Sequence, residues 1–337
     1  MLLVDKKQGN TLFFNNVYVT NTSSIAGEKE GEGPFGKYFD SLLKKDELGT
    51  KSFELAEIRM HTYAIKHLLF KTKLAPEEID CLLMGDLLDE IVGSSYSAKE
   101  FAIPFLGLYN ACATFGEALL IGSICVESGY MQRVICSTSS HFSTAERQFR
   151  FPLELGSQRP PISQWTVTGA GATLLASAGA DIKVNCATIG KVIDFGVTDA
   201  DDMGAAMAPS ARDTLINHLK DTKRKLDYYD LIATGDLGKA GAKMLRILME
   251  KEGYSLGDNY QDCGAIIYDR EDADVMQGGS GTSCSNIVFN GFIYKKMLEG
   301  VYKKILLLPT GALLSKTSTL QKQTIPAITH AIAFEVK

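Results

Sequence analysis

The stretch Ile79-Asp-Cys-Leu-Leu-Met-Gly-Asp-Leu87 decides the fold, because it returns 150 positions later as Tyr229-Asp-Leu-Ile-Ala-Thr-Gly-Asp-Leu237. In both copies an aspartate precedes a short apolar run, and Gly-Asp-Leu follows it. A short apolar run between turn signals is typical of a buried strand. The repeat therefore predicts that one α/β unit occurs twice in the chain.

The sequence around each copy extends the correspondence. Residues 52–72 and 211–225 precede the two copies, have the apolar spacing of a helix and lead into a short turn. Each copy is followed by a second helix, and these helices end at Gly129 and Gly300. Their first turns are poor in charge and rich in small and apolar residues, which is typical of helices buried on all sides.

Each half is thus predicted as alternating strands and helices, followed by further strands at 166–177 and 329–334. Such alternation indicates mostly parallel sheets with buried crossovers. Two buried helices between two sheets give an α/β fold, a five-layer αβαβα sandwich with an internal pseudo-twofold duplication. We place the N-terminal half at residues 1–180 and the C-terminal half at residues 181–337.

The composition is that of an ordinary globular protein, with 337 residues of which 45% are hydrophobic and 22% charged. Because the net charge is −5, we expect no nucleic-acid partner. Seven cysteines without a CxxC pair indicate neither a disulfide framework nor a zinc site, and they fit a reducing compartment. We expect neither a signal peptide nor a transmembrane segment, since no apolar run reaches about 18 residues.

Cys112 is the strongest functional candidate. The segment Leu108-Tyr-Asn-Ala-Cys-Ala-Thr-Phe-Gly116 places it at a strand-to-helix turn, and alignment of Gly129 with Gly300 sets it opposite Ser283. A thiol in the first helical turn faces unpaired backbone N–H groups and the positive end of the helix dipole, so the sequence predicts a favoured thiolate. The alternative is a buried, inert cysteine, because free cysteine packs like a small apolar residue.

A duplicated α/β chain with Ala-Cys-Ala before its central helix resembles the thiolase and ketoacyl-synthase III superfamily. More narrowly, the chain resembles the stage V sporulation protein AD family, a component of the spore channel system that handles dipicolinic acid. The motifs that carry this resemblance are Gly33-Pro-Phe-Gly36, Gly85-Asp-Leu-Leu88, Ala111-Cys112, Ser139-Ser-His141, Thr144-Ala-Glu-Arg-Gln-Phe-Arg150, Thr166-Val-Thr-Gly169, Ala206-Met-Ala-Pro209, Thr234-Gly-Asp-Leu237, Gly278-Gly-Ser-Gly281 and Ala312-Leu-Leu-Ser315.

The superfamily resemblance implies a cysteine nucleophile assisted by two polar side chains, usually two histidines or a histidine and an asparagine. Where ketoacyl synthases carry His-Gln-Ala-Asn, this chain reads Thr234-Gly-Asp236-Leu, and where they carry Gly-Asn-Thr-Ser, it reads Gly279-Ser280-Gly-Thr-Ser283. An ionised Asp236 only accepts hydrogen bonds, and it would raise the pKa of the thiol and repel an enolate. We therefore expect negligible condensation, since one such donor is worth on the order of 10²–10³ in rate.

The histidines offer little replacement for the missing pair. Three lie on predicted outer helices, where we expect them to be solvated: His61, His67 and His218. His141 follows a strand and could reach the pocket, and His330 lies in a C-terminal strand near it. An acyltransferase that uses Cys112 with His330 or His141 is therefore the main alternative to a non-catalytic protein.

A pocket between two buried helix N-termini still offers backbone donors to an anion. Dipicolinate is a flat pyridine with two carboxylates, and guanidinium groups bind carboxylates in a bidentate manner. The insertion 141–165 supplies Arg147, Arg150 and Arg159 together with Phe142, Phe149, Phe151 and Trp165. We predict that Arg147 or Arg150 binds one carboxylate beside Cys112. The alternative is that the insertion builds the dimer interface, because arginine and aromatic residues are typical of interfaces.

Other polar segments carry weaker signals. The acidic loop at 199–202 is expected to be solvated, since no EF-hand glycine and glutamate complete a metal site. Gly278-Gly-Ser-Gly281 lacks the Gly-Lys-Ser/Thr of a phosphate loop and predicts a tight turn. Asp86, the counterpart of Asp236, is expected to cap a helix turn. The resemblance implies that a loop reading Gln-Lys-Pro-Asp would be ordinary where this chain reads Gln158-Arg-Pro-Pro161. If an acidic residue there contacts the ligand or a bound calcium, this protein binds differently.

The sequence thus favours a non-catalytic homodimer that binds dipicolinic acid, or its calcium chelate, in a degenerate thiolase pocket without a cofactor or metal of its own. The resemblance implies the other SpoVA channel proteins as partners and a peripheral location at the spore inner membrane after synthesis in the forespore cytoplasm. The candidate binding residues are Cys112, His141, Arg147, Arg150, Asp236, Ser280, Ser283 and His330. The alternatives are an acyltransferase with Cys112 as nucleophile and a structural subunit whose pocket is vestigial.

Overall fold

The computed structural model describes residues 6–149, 158–268 and 273–337. The first half contains β1 (Lys7–Gln8), β2 (Thr11–Phe13), β3 (Tyr18–Ala26), α1 (Glu28–Glu32), β4 (Ser41–Leu42), α2 (Phe53–Thr72), β5 (Cys81–Gly85), α3 (Val92–Ala98), β6 (Phe105–Gly107), α4 (Thr114–Glu127), β7 (Arg133–Ser140), α5 (Phe142–Phe149), β8 (Trp165–Thr166) and β9 (Gly169–Ala176). The second half contains β10 (Ile182–Thr188), α6 (Met203–Thr222), β11 (Leu231–Thr234), α7 (Gly238–Lys251), β12 (Tyr260–Asp262), α8 (Cys263–Ile267), β13 (Gly279–Ser280), α9 (Thr282–Ile287), α10 (Tyr294–Leu298), β14 (Lys304–Leu308), β15 (Thr310–Ala312), α11 (Lys316–Leu320), β16 (Ala327–Thr329) and β17 (Ala331–Val336).

Helices α2 and α6 occupy corresponding positions, 150 residues apart. Ser52 and Asp202 cap their N-termini by accepting a hydrogen bond from a backbone N–H three residues on. Both helices end at a lysine in the left-handed conformation, Lys73 with φ +57° and Lys223 with φ +56°. A 3₁₀ turn and then a buried strand, β5 or β11, follow each helix. The repeated sequence therefore folds into a repeated helix–turn–strand unit.

Helix α6 begins at Met203, earlier than the predicted start at residue 211. Its first turns are buried on nearly all sides, because α7 and the β15–β16 hairpin pack against it. A helix segment without a solvated face shows no regular spacing of apolar and polar residues. The spacing that predicts α2 from the sequence is therefore absent from the first turns of α6.

The two halves have the same strand order, β6-β5-β7-β9-β3 and β12-β11-β14-β17-β10. They join into one sheet where Tyr18 and Val19 of β3 pair with Lys183 and Ile182 of β10. The expectation of mostly parallel sheets is wrong for the inner strands, since β9 and β17 are antiparallel to both of their neighbours. These strands are not reached through a helical crossover of the kind that makes neighbouring strands parallel.

The central layer contains α4, α9 and the π-helical segment Val288–Ile293 that continues α9. Phe289 of that segment lies between Phe115 of α4 and Phe334 of β17, with ring centroids 5.9 and 4.7 Å away. Helices α2 and α3 cover the outer face of the first half's strands, and α6 and α7 cover that of the second. The predicted αβαβα layering is therefore present. The boundary at 180/181 stays a prediction.

Two histidines expected to be solvated are fully buried instead. His61 contacts Ser137 Oγ at 2.9 Å through Nε2, and His218 contacts Thr188 Oγ1 at 2.7 Å through Nδ1. Burial lowers the pKa of both imidazoles to about 3. His67 is half-buried, 3.1 Å from a serine hydroxyl on β3. The imidazoles of His61 and His218 lie on the inner side of the outer helices, towards the sheet.

Among the helices of the described ranges, none combines the length and the apolar composition that a membrane span requires.

Candidate functional site

Cys112 lies at a tight turn between β6 and α4, as predicted. Ala111 before it has φ +49°, and Thr114 Oγ1 fixes the turn by donating to the Ala111 carbonyl oxygen at 2.6 Å. The turn packs so closely on β5 that a Cβ at Gly85 would lie 2.3 Å from the Leu108 carbonyl oxygen. The glycine of the repeated Gly-Asp-Leu motif thus lets the cysteine turn approach the strand.

The Cys112 thiol lies beside the carboxyl group of Asp236, which follows β11, close enough for each side chain to shift the pKa of the other. Both side chains are buried, with 7% of Cys112 and 1% of Asp236 exposed. Gly281 N–H donates to Asp236 Oδ2 at 3.2 Å, whereas Oδ1 accepts from no N–H or O–H group in the described part of the chain. The two halves of the chain therefore meet in a contact between a thiol and an acid.

Burial raises the pKa of Cys112 well above its usual value, and the neighbouring Asp236 raises it further, although backbone N–H groups oppose the shift. The sequence prediction of a favoured thiolate is therefore wrong, because desolvation outweighs the helix N-terminus. Burial also raises the pKa of Asp236 well above its usual range. Burial thus opposes the ionised Asp236 that the sequence argument assumed, and it favours the uncharged form of both side chains.

The second glycine-rich turn brings Ser280 and Gly281 to the same place. Strand β13 pairs with β8, so that Ser280 lies beside Thr166. Gly281 has φ +105°, a conformation that favours glycine. Ser283, the counterpart of Cys112, is buried in the next turn, where its hydroxyl donates to the Gly169 carbonyl oxygen at 2.5 Å. Ser280 therefore reaches the site, while Ser283 holds the central helix to β9.

Cys112 and Ser280 line a cavity of about 600 Å³. Its floor also includes Ala111, Thr166 and Gly281. Leu87, which follows β5, and Tyr109, which precedes the Cys112 turn, also line it. The remaining described lining residues come from the insertion, from the start of α6 and the loop before it, and from the region around α11: Phe142, Ala145, Glu146, Phe149, Gln158, Arg159, Pro160, Thr198, Asp199, Ala200, Asp201, Met203, Ala312, Leu314, Lys316, Thr319 and Leu320. No histidine occurs among these described lining residues.

Among the arginines of the insertion that the structure describes, Arg159 lines the cavity and Arg147 does not. Arg147 is largely exposed and pairs with Glu54 at 2.9 Å on the surface, away from the cavity lining. Arg150 lies outside the described residues. Arg159 lines the cavity, and its guanidinium carbon lies 5.0 Å from the centroid of Trp165. Its Nε is 3.7 Å from Glu146 Oε1, and its Nη1 donates to the Asp274 carbonyl oxygen at 3.0 Å.

The aromatic residues of the insertion form the wall beside this arginine. Phe142 and Trp165 stack with centroids 3.7 Å apart and planes at 7°, and Phe149 also lines the cavity. Gln164, which sequence reasoning missed, ties this wall to the thiol site. Its Nε2 donates to the carbonyl oxygens of Asp236 and Gly279, at 2.6 and 3.0 Å.

The two histidines expected near the pocket are engaged with the backbone. His141 accepts from Ser143 N–H through Nδ1, and its Nε2 contacts the Asp46 carbonyl oxygen at 3.2 Å. His330 Nδ1 lies 3.3 Å from Gly190 N–H, and its Nε2 lies 3.1 Å from Asn110 Nδ2. Burial lowers the pKa of both, that of His330 to about 4. Neither lines the cavity.

The other acids have local structural partners. Asp86 accepts from Leu88 N–H at 2.8 Å and from Ser94 N–H at 2.6 Å, so it holds the turn that leads into α3. Asp262, which sequence reasoning missed, accepts from three backbone N–H groups and the Thr234 hydroxyl, and burial raises its pKa to about 6. The acidic loop at 199–202 caps α6, and the described residues contain no acidic, histidine or cysteine cluster suited to a metal ion.

Comparison with known proteins identifies the chain's relatives. Residues 7–335 match the profile of the family described as Stage V sporulation protein AD. The stage V sporulation protein AD of Bacillus subtilis (strain 168) is 42% identical over 324 residues, which cover 96% of this chain and 96% of that protein. Because the match covers nearly the whole chain, it includes the segments of both halves that line the cavity.

Solved structures of other proteins share the fold. 3-oxoacyl-acyl-carrier-protein synthase III from Aquifex aeolicus VF5 has a TM-score of 0.58 and 14% identity, with 95% of this chain and 99% of that chain covered. OleA of Xanthomonas campestris with bound cerulenin has a TM-score of 0.60 and 14% identity, with 98% and 99% covered. At such low identity the likeness shows a thiolase-like fold and nothing about activity.

Proposed function

Because the chain belongs to the stage V sporulation protein AD family, we propose that it is a receptor for dipicolinic acid, or its calcium chelate, and not an acyltransferase. The ligand would occupy the cavity beside Cys112. In this role the protein would support movement of dipicolinic acid into or out of the spore together with the other SpoVA channel proteins.

The observation that carries this proposal is the buried contact between Cys112 and Asp236. Acyl transfer needs a thiolate nucleophile and donors that stabilise an oxyanion or enolate. Here burial and the carboxyl group favour the protonated thiol, and the lining residues of the described chain include no histidine. His141 and His330 are committed to backbone and amide partners. The machinery for condensation is thus replaced, while the cavity persists.

The cavity suits a flat dicarboxylate. Its volume lies within the range of about 300–1,000 Å³ usual for small-molecule sites. Phe142 and Phe149 offer apolar ring surface, and Arg159 offers a guanidinium group held in place by Trp165. Burial favours the protonated form of Asp236, which would not repel an anion as an ionised carboxylate would. Arg159 therefore joins Arg150 as a candidate partner for one ligand carboxylate, in place of Arg147.

Thermal unfolding with dipicolinate, with and without calcium, tests binding directly. A hundredfold excess over the dissociation constant should stabilise the protein by about 2.7 kcal/mol. Arg159→Gln should weaken the response at least tenfold, whereas Arg147→Gln, on the outer surface of the same insertion, should leave it unchanged. Because Arg159 also bonds backbone carbonyl groups, Leu314→Trp, which narrows the cavity at a half-exposed position, is a second blocking variant. Absence of any shift would favour the structural subunit.

Incubation with acyl-CoA separates the receptor from the enzyme. The intact mass should show no acyl adduct, because burial favours the protonated thiol and no histidine occurs among the described lining residues. A stable adduct on the wild-type chain that is absent from Cys112→Ala would establish the acyltransferase with Cys112 as nucleophile. Cys125, half-exposed on α4, serves as an internal reference for non-specific thiol acylation.

We also propose that the protein forms a homodimer and associates peripherally with the spore inner membrane. Strand β6 lies at the edge of the sheet, pairs with β5 in the described structure and exposes 47% of Leu106. An exposed edge strand next to the Cys112 turn favours pairing with a second copy. Sedimentation should give twice the chain mass of 36.7 kDa, and Leu106→Pro should shift it to the monomer.

A further inference from the structure

Helix α2 exposes one continuous line of side chains on the outer surface of the molecule. The line repeats at intervals of three and four residues, the spacing of one face of a helix. Basic and apolar residues alternate along it, in the order Leu55, Arg59, Tyr63, Lys66, Phe70 and Lys73. We refer to this set as the α2 face. From Leu55 to Phe70 it spans about 22 Å.

The apolar members of the α2 face are unusually open to solvent. The exposed fractions are 51% for Leu55, 44% for Tyr63 and 80% for Phe70. Isolated exposed apolar residues need no explanation, but three on one line indicate an interaction surface.

No acidic side chain of α2 balances the basic residues on the α2 face. Glu54 at the start of the helix is paired with Arg147, and Glu57 is buried and accepts from Ser139 and Thr144. Beyond the end of the helix, Glu78 accepts from a backbone N–H group of the following turn. The α2 face therefore carries three basic side chains and no acidic one, on a chain whose net charge is −5.

The duplication supplies an internal comparison, because α6 is the counterpart of α2. At the matching positions α6 carries Ala205, Pro209, Asp213, Ile216, Lys220 and Lys223. Pro209 and Ile216 are buried, since α7 and the β15–β16 hairpin cover α6. Helix α2 has α3 beside it, through a hydrogen bond of 3.0 Å between Thr62 and Ser97, and its outward line stays open.

Helix α3 extends the positive, aromatic character of this surface. Tyr96 is 50% exposed, and Lys99 Nζ lies 4.6 Å from its ring centroid. Both residues are close in sequence to Ser97, which contacts α2. Aromatic and basic side chains therefore lie side by side on a surface wider than one helix.

We propose that the α2 face binds the surface of an anionic lipid bilayer. The inference rests on the peripheral membrane association proposed above and assigns it to specific residues. Lysine and arginine attract anionic headgroups, while tyrosine, phenylalanine and leucine enter the boundary between headgroups and acyl chains. A convex helix surface fits a deformable lipid layer. Since the chain as a whole is acidic, an orientation with the basic α2 face towards the lipid is electrostatically favoured.

Co-sedimentation of the full chain with vesicles tests the proposal. The wild-type chain should bind vesicles with 30 mol% phosphatidylglycerol, should bind pure phosphatidylcholine weakly, and should dissociate as salt is raised. Arg59→Gln, Lys66→Gln and Lys73→Gln combined should lower the partition coefficient about 100-fold, at about fivefold for each cation near the surface. Tyr63→Ser with Phe70→Ser should lower it without changing the net charge.

The matched control removes three exposed cations from the symmetry-related region, by Lys220→Gln, Lys223→Gln and Lys225→Gln. It changes the net charge by the same amount and should keep the wild-type partition coefficient within about threefold. Equal loss in both triple variants would overturn the proposal, since charge alone would then account for binding. Binding to spore membranes that is absent with protein-free anionic vesicles would also overturn it, in favour of an acidic protein partner.

The same variants separate this inference from the ligand proposal. The α2 triple variant should retain the full thermal shift with dipicolinate, because none of the three side chains lines the cavity. Loss of vesicle binding with a retained ligand shift supports the lipid surface. If the wild-type chain binds vesicles but shows no thermal shift with dipicolinate, the lipid proposal stands and only the receptor proposal is refuted.

Discussion

At the scale of single residues, Cys112 shows how a residue that is far away in sequence but close in space can lower the expected reactivity of a thiol. The turn itself is built for a nucleophile, with a strained residue before the cysteine and a helix after it. Asp236, from the other half of the chain, adds a second acid in the same buried space. Neither group can lose its proton without placing an unpaired charge in a medium that solvates it poorly. Burial therefore favours the protonated, less nucleophilic form of the thiol.

Replacement of Asp236 by asparagine should make Cys112 more reactive. The carboxyl group raises the pKa of the thiol, so Asp236→Asn removes one cause of the shift while burial remains. Each unit by which the pKa falls increases the thiolate fraction about tenfold. The rate of carbamidomethylation of Cys112 by iodoacetamide, measured by peptide mass spectrometry between pH 7 and 10, should rise at pH 8. Cys125 in the same digest should react at an unchanged rate. An unchanged Cys112 profile would show that Asp236 does not influence the thiol.

Glu30 gives a prediction for stability against pH. It is fully buried and accepts from Tyr268 O–H and Thr168 N–H through Oε1, and burial raises its pKa from 4.5 to about 7. The folded state therefore holds the proton more tightly than the unfolded state. Its contribution to stability is present below pH 4.5 and is lost as the pH rises through 7.

Glu30→Gln should abolish that loss, because the amide keeps both hydrogen bonds through its oxygen and never ionises. We expect the variant to be more stable than wild type by up to about 3 kcal/mol at pH 8 and nearly equal to it at pH 4.5. Urea unfolding at the two pH values measures the difference. Glu54→Gln, at the surface, should show no such pH dependence. A variant destabilised equally at both values would mean that Glu30 is ionised in the folded protein.

At the scale of elements, the duplication makes the helix caps a matched pair. Ser52 accepts from Leu55 N–H at 3.2 Å, and Asp202 accepts from Ala205 N–H at 3.1 Å. Ser52→Ala and Asp202→Ala should each lower the free energy of unfolding by about 1 kcal/mol, since each leaves a helix N–H group without an acceptor. Ser52→Asp and Asp202→Asn retain an acceptor and should keep the wild-type value within about 0.5 kcal/mol. Urea midpoints at constant m-value measure all four.

The elements that could be predicted from sequence are those whose pattern is local. Helix α2 and strands β5 and β11 follow from apolar spacing and turn signals, and the fold follows from their repetition. The start of α6 and the antiparallel strands β9 and β17 depend on what packs against them, so no local pattern encodes them. The same holds for Arg159, because sequence alone does not tell which arginine of the insertion faces inward.

At the scale of the whole molecule, the duplicated halves differ where function is proposed. Cys112 lines a cavity, whereas its counterpart Ser283 bonds to the backbone of β9. Asp86 holds a helix turn, whereas its counterpart Asp236 contacts the thiol. Helix α2 is open on its outer side, whereas α6 is covered. The two halves thus share one framework, and each of these positions at which they differ is a candidate contact with ligand or lipid.

The shared central layer predicts that the halves unfold together. Helix α9 of the second half packs against β9, β7 and β3 of the first, and Phe289 joins the two through Phe115 and Phe334. Because Phe289 is fully buried, Phe289→Ala should lower the global stability by about 3–5 kcal/mol. Hydrogen exchange followed by mass spectrometry should then show an equal loss of protection in both halves of the Phe289→Ala variant. The slowest amides of β5 and β7 report on the first half, and those of β11 and β14 report on the second. Met244→Ala, on the outer surface of α7, should change neither set. If protection fell in β11 and β14 alone, the halves would be separate folding units and the boundary at 180/181 would mark two independent domains.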